Sequence, residues 1–426
     1  MRPDEAARAT TDRSAWCPPR LRAAGPAGAQ ALRSADERLT MLVREIDLGV
    51  PSAVESRLEG LLAERVKEAH DAHETFGRDI ADRVARFALG GGRRIRPQFL
   101  WWGMRAAGLP TFDEVVAALR LGSALELIQT CALIHDDVMD GSPSRRGHPA
   151  VHVDLAAQYD ARSGAAATHF GESAAVLAGD LALAWADDEL AALDLPAARA
   201  ASVRAVWAQM RMEMVAGQYL DVQGEVTRNR SVARSLRAAY LKTALYTVER
   251  PLQLGTLITG VRETVARALC AGGRNIGLAF QLRNDLVDVL GYPQDGINPV
   301  GADVRSGKPT YLIALAQARA EADGDHRALA VLRNNVGQPD LDDSGLDEVR
   351  QVIVRSGASE LVLDKIGRLH AQSIRHLTGV DIDPVAADRL QRLMGAAAGK
   401  HAPDIPREPA RRRGPVPTGA DEVASS

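Results

Sequence analysis

The chain has 426 residues, 46% of them hydrophobic and 25% charged, with a formal net charge of −3. That is a soluble globular profile with enough apolar side chains for one large core or two domains. Near-neutral charge argues against a nucleic-acid partner, which would demand a basic face or stripe.

Aromatics are only 4% while Ala, Leu, Val and Arg abound, a mix that favours helix over strand. Cys17, Cys131 and Cys270 are scattered and odd in number, giving neither a disulfide framework nor a metal knuckle. A reducing, cytoplasmic setting fits. No apolar run reaches the ~18 residues that a membrane span requires. The N-terminus, with Asp4, Glu5 and Asp12, lacks the apolar stretch of a secretory signal. The expectation is a cytoplasmic protein without stable membrane insertion.

Residues 1–35 are rich in Ala, Arg, Pro and Gly and read as a disordered tail, followed by a short helix over 34–45. The folded part is expected to begin near Pro51-Ser52. Leu58, Leu61, Leu62, Val66, Phe76, Ile80, Val84 and Phe87 then follow a helical stripe that ends at Gly90-Gly91-Gly92. Arg93-Arg94-Ile95-Arg96-Pro97 opens the next helix, 98–107. A glycine turn before a helix leaves backbone N–H groups free to face an anion, and arginines add charge-assisted hydrogen bonds. Alone, the same residues also describe a plain helix end and a solvated turn.

The segment 113–132 is mostly apolar, hence central, and leads into Ile134-His135-Asp136-Asp137-Val138-Met139-Asp140. Asp136 and Asp140 stand four apart and share a helix face, where they can grip a cation together. Desolvating such carboxylates unpaired would cost several kcal/mol or more each. A solvated acidic helix end is the bland reading. A second basic pair, Arg145-Arg146, follows a Gly-Ser-Pro-Ser turn, so two anion sites flank one acidic face. That points to two diphosphate-bearing substrates.

Helices are expected over 172–192, 203–222, 235–260 and 263–290. Gln218 and Asp221 share a face of the second, and Lys242-Thr243 lies in the third. In the fourth, Gln281, Asn284, Asp285 and Asp288 fall on one face and echo the first acidic stripe. A glycine-bounded loop over 293–306 delivers Lys308 and has the composition of a segment that closes over a ligand. Amphipathic helices fill 310–393 with a polar break over 334–344, and a Pro-, Arg- and Ser-rich tail follows residue 400. The fold class read from these elements is all-α.

Gly91-Gly92-Arg93-Arg94-Ile95-Arg96-Pro97, Asp136-Asp137-x-x-Asp140 with Arg145-Arg146-Gly147, Gly217-Gln218-x-x-Asp221, Lys242-Thr243, Phe280-Gln281 and Gly307-Lys308 together resemble a trans-isoprenyl diphosphate synthase of the polyprenyl synthetase family. The resemblance covers about residues 51–395 and is strongest to geranylgeranyl diphosphate synthases. It implies a single-domain helical bundle around a deep central cavity, usually as a homodimer. The domain would span 51–398, between a largely disordered extension 1–50 and a disordered tail 399–426. It further implies Mg²⁺-dependent, head-to-tail condensation of isopentenyl diphosphate with an allylic diphosphate.

By the same resemblance, Asp136, Asp137 and Asp140, with Asn284, Asp285 and Asp288, would hold two to three Mg²⁺ ions. Arg145 and Lys308 would clamp the allylic diphosphate. Arg93, Arg96 and Arg146 would bind isopentenyl diphosphate, joined by Gln129 where many members carry His. Lys242, Thr243 and Gln218 would face the carbocation, with Asp221 and Gln281 completing the catalytic polar face. Two positions depart from the family: Asn284 stands where the second acidic segment normally begins with Asp, and Asn298 replaces a lysine ten residues before Lys308. Small Cys131 and Ala132, one turn before Asp136, leave room for a chain of geranylgeranyl length or somewhat more. A floor from Trp101 or Trp102 on the neighbouring helix stays open, as does a shorter or longer product. The alternatives are terpene cyclisation on the same scaffold, which has no use for Arg93, Arg96 and Arg146, and a scaffold subunit with a decayed site. Residues 1–35 also suit, in composition, a peptide that docks cargo to a protein-shell compartment.

Overall fold

The computed structural model describes residues 35–159, 164–227, 230–291 and 300–399. The first helices are α1 (Ala35–Leu48), α2 (Val50–Ala72), the single turn α3 (Glu74–Phe76), α4 (Asp82–Leu89), α5 (Ile95–Arg105) and α6 (Phe112–Met139). After a two-stranded hairpin, β1 (Ser144–Arg145) with β2 (His148–Pro149), come α7 (Val151–Ala156), α8 (Gly164–Ala191), α9 (Ala197–Thr227) and α10 (Val232–Ala239). A π-helical segment, Tyr240–Glu249, runs into α11 (Arg250–Thr259) and is followed by α12 (Glu263–Leu290) and the short α13 (Ala302–Ser306). The chain closes with α14 (Tyr311–Asp323), α15 (His326–Asn335), α16 (Asp343–Arg355), α17 (Ala358–Thr378) and α18 (Pro384–Ala397). The all-α expectation holds.

Helix α6 is the axis. Thr111 caps it: its hydroxyl accepts from the Glu114 N–H, and the Glu114 carboxylate accepts the Thr111 N–H at 2.9 Å. Such a reciprocal pair satisfies two otherwise orphaned donors. Leu119, Leu121, Leu125, Leu127 and Ile128 are fully buried on several faces, against α2, α5, α8 and α11. The expectation that no segment has the makings of a membrane span needs correcting here. Helix α6 is long and apolar enough to cross one by length and composition, but 78% of its most apolar window is buried inside the bundle. Neighbouring helices cover it where lipid would.

Two further expectations shift. Packing is already present ahead of residue 51, because Val43 and Ile46 of α1 are buried in the core. Asp47 of α1 accepts the Trp101 indole N–H at 2.8 Å and pairs with Arg105, fastening α1 to α5. The single helix expected over 235–260 is broken into α10, the π segment and α11. Apolar spacing reports which face is buried, but not whether hydrogen bonds span four residues or five. The proposed docking tail (1–34 of it), Asn298 and the tail from residue 400 lie outside the described residues.

Candidate active site

The first acidic wall is the last turn of α6. Asp136 Oδ1 accepts from Gln218 Nε2 of α9 at 2.8 Å and from Lys242 Nζ of the π segment at 3.0 Å. Lys242 also binds Asp221 Oδ2 at 2.7 Å, so one ammonium bridges α6 and α9. Burial pushes the Asp136 carboxyl up, but Lys242, Lys308 and Arg145 outweigh it and hold it at about 2. Asp140, the C-cap, takes Lys308 Nζ at 2.6 Å.

Asp137 is placed differently. It is 0% exposed and gripped by Arg145 through Nε at 2.9 Å and through Nη2, while its Oδ2 has no hydrogen-bond partner among the described residues. Its placement favours anchoring the arginine over ligating an ion. Burial, against the pull of Arg145, leaves this carboxyl above its ordinary range. The hairpin explains why two adjacent arginines part company. Its two-residue loop has Arg146 and Gly147 at φ 54° and 78°, the positive values that such loops demand. Arg145 therefore turns to the aspartates, while Arg146 Nη1 donates to the Gly91 carbonyl at 2.6 Å.

The second acidic wall is the C-terminal half of α12, closed by the 300–310 loop. Gln281 Nε2 donates to Asp285 Oδ1 at 2.7 Å, and Asp285 is 2% exposed. Asp288 accepts the Asp303 N–H at 3.1 Å, and the Asp303 carbonyl accepts the Lys308 N–H at 3.0 Å. The loop thus rests on α12 while its lysine reaches across to Asp140. Burial and Asp303 push Asp288 up to about 7 and Asp285 well above the carboxylate range. Burial raises Asp303 too, despite Lys308, and burial with Asp140 brings Glu225 of α9 to about 7. Asn284 lies half-buried on the same stretch.

The two walls face one hollow, which Lys308 spans: its Nζ meets Asp140 at 2.6 Å, its backbone N–H rests on the Asp303 carbonyl, and the Asp303 N–H is held by Asp288. Among the described residues, no three acidic, His or Cys side chains converge into a ready-made ion cage. Yet the hollow holds more buried carboxyls than its two lysines balance, and every donor is a hard oxygen. That suits Mg²⁺, which binds through one or two carboxylates together with substrate phosphates rather than in an all-protein cage. The residues fit the ion in that mode.

The third group is basic. Gly91 and Gly92 adopt φ 90° and 129°, values that a side chain would resist, and swing the chain into α5. Of the arginines in that turn, Arg94 points inward, where its Nη1 donates to Glu126 of α6 at 2.5 Å, while Arg93 is exposed. Arg96 reaches the π segment: its guanidinium lies 4.3 Å from the Tyr246 ring centroid and Nη2 donates to Thr247 Oγ1 at 3.1 Å. Arg96 Nε, Tyr246 OH and Gln129 Oε1 are buried with no partner among the described residues. Buried polar atoms are almost always satisfied, so three orphans are what a polar ligand site leaves behind. His135 packs away, with Nε2 3.1 Å from the Val176 carbonyl of α8.

Asp303, Glu225, Tyr246 and Thr247 escaped the sequence reading. Glu225 sits four residues after Asp221 and Asp303 five before Lys308, spacings that were available as signals. Tyr246 and Thr247 gave none, since their partner Arg96 lies 151 residues from Thr247 and no local spacing pairs them.

Acidic walls bridged by lysines, in an all-α bundle with a basic mouth, define a protein built to hold diphosphates. The polyprenyl synthetase family model matches residues 78–352, and the chain belongs to that family. It is 30% identical over 302 residues to a (2E,6E)-farnesyl diphosphate synthase of Mycobacterium bovis, covering 71% of this chain and 78% of that one. A geranylgeranyl diphosphate synthase of Methanosarcina mazei is 32% identical over 225 residues, covering 52% of this chain and 63% of the relative. The solved geranylgeranyl pyrophosphate synthase from Corynebacterium glutamicum, complexed with isoprenyl diphosphate and magnesium, superposes with a TM-score of 0.77. It is 36% identical and covers 82% of this chain and 98% of its own. The chain is an enzyme of the prenyl diphosphate synthase class, a transferase.

Proposed function

We propose that this enzyme condenses isopentenyl diphosphate with an allylic diphosphate, head to tail and with Mg²⁺, and that its product is geranylgeranyl diphosphate. The observation that carries the reading is the pair of lysines, Lys242 and Lys308, held among Asp136, Asp140 and Asp221 inside a hollow of buried carboxyls. Bound there, Mg²⁺ would neutralise the diphosphate leaving group. Asp136 and Asp140 would hold it on α6, with Asp288 and Asp285 opposite and Asn284 lending a carbonyl oxygen. Lys242, Lys308 and Arg145 spread the remaining charge as the carbon–oxygen bond breaks. Gln218 and Thr243 turn polar atoms toward the allylic cation, while the apolar faces of α6 keep water from it. Arg93, Arg96, Arg146 and Gln129 hold isopentenyl diphosphate so that its double bond attacks the cation. The proton then lost goes to the departing diphosphate, which removes the need for a strong side-chain base.

Product length rests on what lies below Asp136. Cys131 and Ala132 are small, and the two tryptophans on α5 are committed elsewhere: Trp101 to Asp47, and Trp102 beneath Arg389, 6.0 Å from its ring centroid. Neither tryptophan is then free to floor the cavity at that level, which favours a C20 chain over a C15 stop. Val176 and Leu177 on α8, with Met212, Val215 and Tyr219 on α9, are exposed apolar side chains on the bundle's outside. They support a homodimer joined through these two helices.

The test is product analysis by mass spectrometry. Purified full-length protein with Mg²⁺, isopentenyl diphosphate and farnesyl diphosphate should yield a C20 diphosphate. Absence of elongation from every short allylic starter would overturn the reading. Cys131→Phe should shift the product towards C15 while leaving consumption of a geranyl starter intact.

A further inference from the structure

Lys242, Tyr246 and Thr247 belong to one ten-residue π-helical segment, Tyr240–Glu249. In an α-helix of about 100° per residue, Thr247 would stand about 140° around the axis from Lys242. With hydrogen bonds that span five residues, both i+4 and i+5 return towards the face of i. Lys242, Tyr246 and Thr247 can therefore work from one side of the segment. Lys242 is tied to Asp136 and Asp221, while Tyr246 and Thr247 are tied to Arg96.

The segment has little freedom to slide. A Cβ on Gly217 of α9 would lie 2.4 Å from the Lys242 nitrogen, and one on Gly277 of α12 would lie 2.4 Å from the Ala244 carbonyl oxygen. Bare backbone on both sides lets the helices close on the segment. Tyr246 and Thr247 are 3% and 1% exposed, so the ring and hydroxyl that meet Arg96 are themselves immobile. A guanidinium held by stacking on one face and by a hydrogen bond at one Nη2 keeps Nε and Nη1 for a diphosphate, and Nε is indeed buried without a partner among the described residues.

We propose that Tyr246 and Thr247 are positioning residues for isopentenyl diphosphate. They fix Arg96, and the π register sets that arginine at a constant offset from Lys242 on the allylic side. The inference rests on the synthase reading above. Its consequence is selective: disturbing the support of Arg96 should weaken the homoallylic substrate and leave the allylic one alone. An ordinary structural residue would move both.

The experiment compares Tyr246→Leu and Thr247→Val with the conservative Tyr246→Phe and Thr247→Ser. Isopentenyl diphosphate binding is measured by calorimetry without allylic substrate, and KM for each substrate is measured in turnover. Leu and Val should each weaken isopentenyl diphosphate about tenfold, as loss of a desolvated cation–π contact or of a hydrogen bond to a charged group implies. The allylic KM should stay within about twofold, and Phe, which keeps the stacked ring, and Ser, which keeps the hydroxyl, should bind isopentenyl diphosphate more tightly than Leu and Val. Thr247→Val is nearly isosteric and keeps the test available should Tyr246→Leu fail to fold. A wild type that turns over, with Leu and Val variants that bind isopentenyl diphosphate normally or lose both substrates alike, overturns the inference alone. A wild type that binds isopentenyl diphosphate but never elongates, with binding still lost in the variants, overturns the synthase reading alone. A wild type that does not bind it overturns both.

Discussion

The two acidic walls are built from the same residue type and stand in opposite electrostatic conditions. On α6, each aspartate has its own cation: Lys242 for Asp136, Arg145 for Asp137 and Lys308 for Asp140. On α12, Asp285 has the Gln281 amide and Asp288 a backbone N–H, with Asp303 crowding both. The first wall is paired with cations and preorganised; the second carries carboxyls with few cations beside them. Asn284 then has a physical reading. A further carboxylate beside Asp285, Asp288 and Asp303 would add repulsion to the side with the fewest cations.

The largest expected effect breaks the first wall. Asp136→Ala removes the partner of Lys242 and Gln218 together with one ion-holding oxygen, and kcat should fall by at least ~10³-fold. Steady-state kinetics with an allylic starter checks this, and turnover near wild type would detach Asp136 from the chemistry. Next comes the link between the walls. Lys308→Met frees Asp140 and deletes a diphosphate contact, so kcat/KM for the allylic substrate should drop by about 10²-fold. Mg²⁺ binding without substrate should tighten in the same variant, because a competing ammonium is gone. Calorimetry that shows weaker Mg²⁺ binding would mean that Lys308 supports the ion site instead.

A smaller effect sharpens the contrast at the second wall. Asn284→Asp should keep or raise activity at saturating Mg²⁺, because a carboxylate is the stronger ligand. It should also lower the melting temperature of the metal-free protein, because the added charge has no cation. Loss of activity at every Mg²⁺ concentration would show that the asparagine is required in its own right.

Much of this was legible in the chain, for reasons that differ by residue. Asp136 and Asp140 could be paired because four residues bring side chains to one helical face, and the structure keeps α6 helical through Met139. The glycine turn before Arg93 was legible because its backbone demands were, but the inward turn of Arg94 was not. Its partner Glu126 lies 32 residues away, and no local rule pairs them. The π segment stayed hidden because an apolar stripe looks alike in both helix types. Asp137 shows the same limit from another side: the motif groups it with its neighbours, whereas burial against Arg145 sets it apart.

The smallest expected effect tests whether the second wall is waiting for positive charge. Asp288 and Glu225 both stand at about 7 in the folded chain, against ordinary values of 3.8 and 4.5. The folded protein therefore holds more protons than the unfolded chain between those limits, and stability must fall as pH rises through the interval. Asp136, drawn down from 3.8 to about 2, contributes with the opposite sign, but its gain is complete by about pH 5 and drops out above it. Metal-free protein should accordingly melt a few degrees lower at pH 8 than at pH 6. Because Mg²⁺ competes with protons for those carboxyls, its stabilising effect should be larger at pH 8. Differential scanning calorimetry at the two pH values, with and without the ion, reads both effects. Equal stabilisation at pH 6 and pH 8 would mean that the ion contacts only the first wall, and the contrast between the walls would lose its functional meaning.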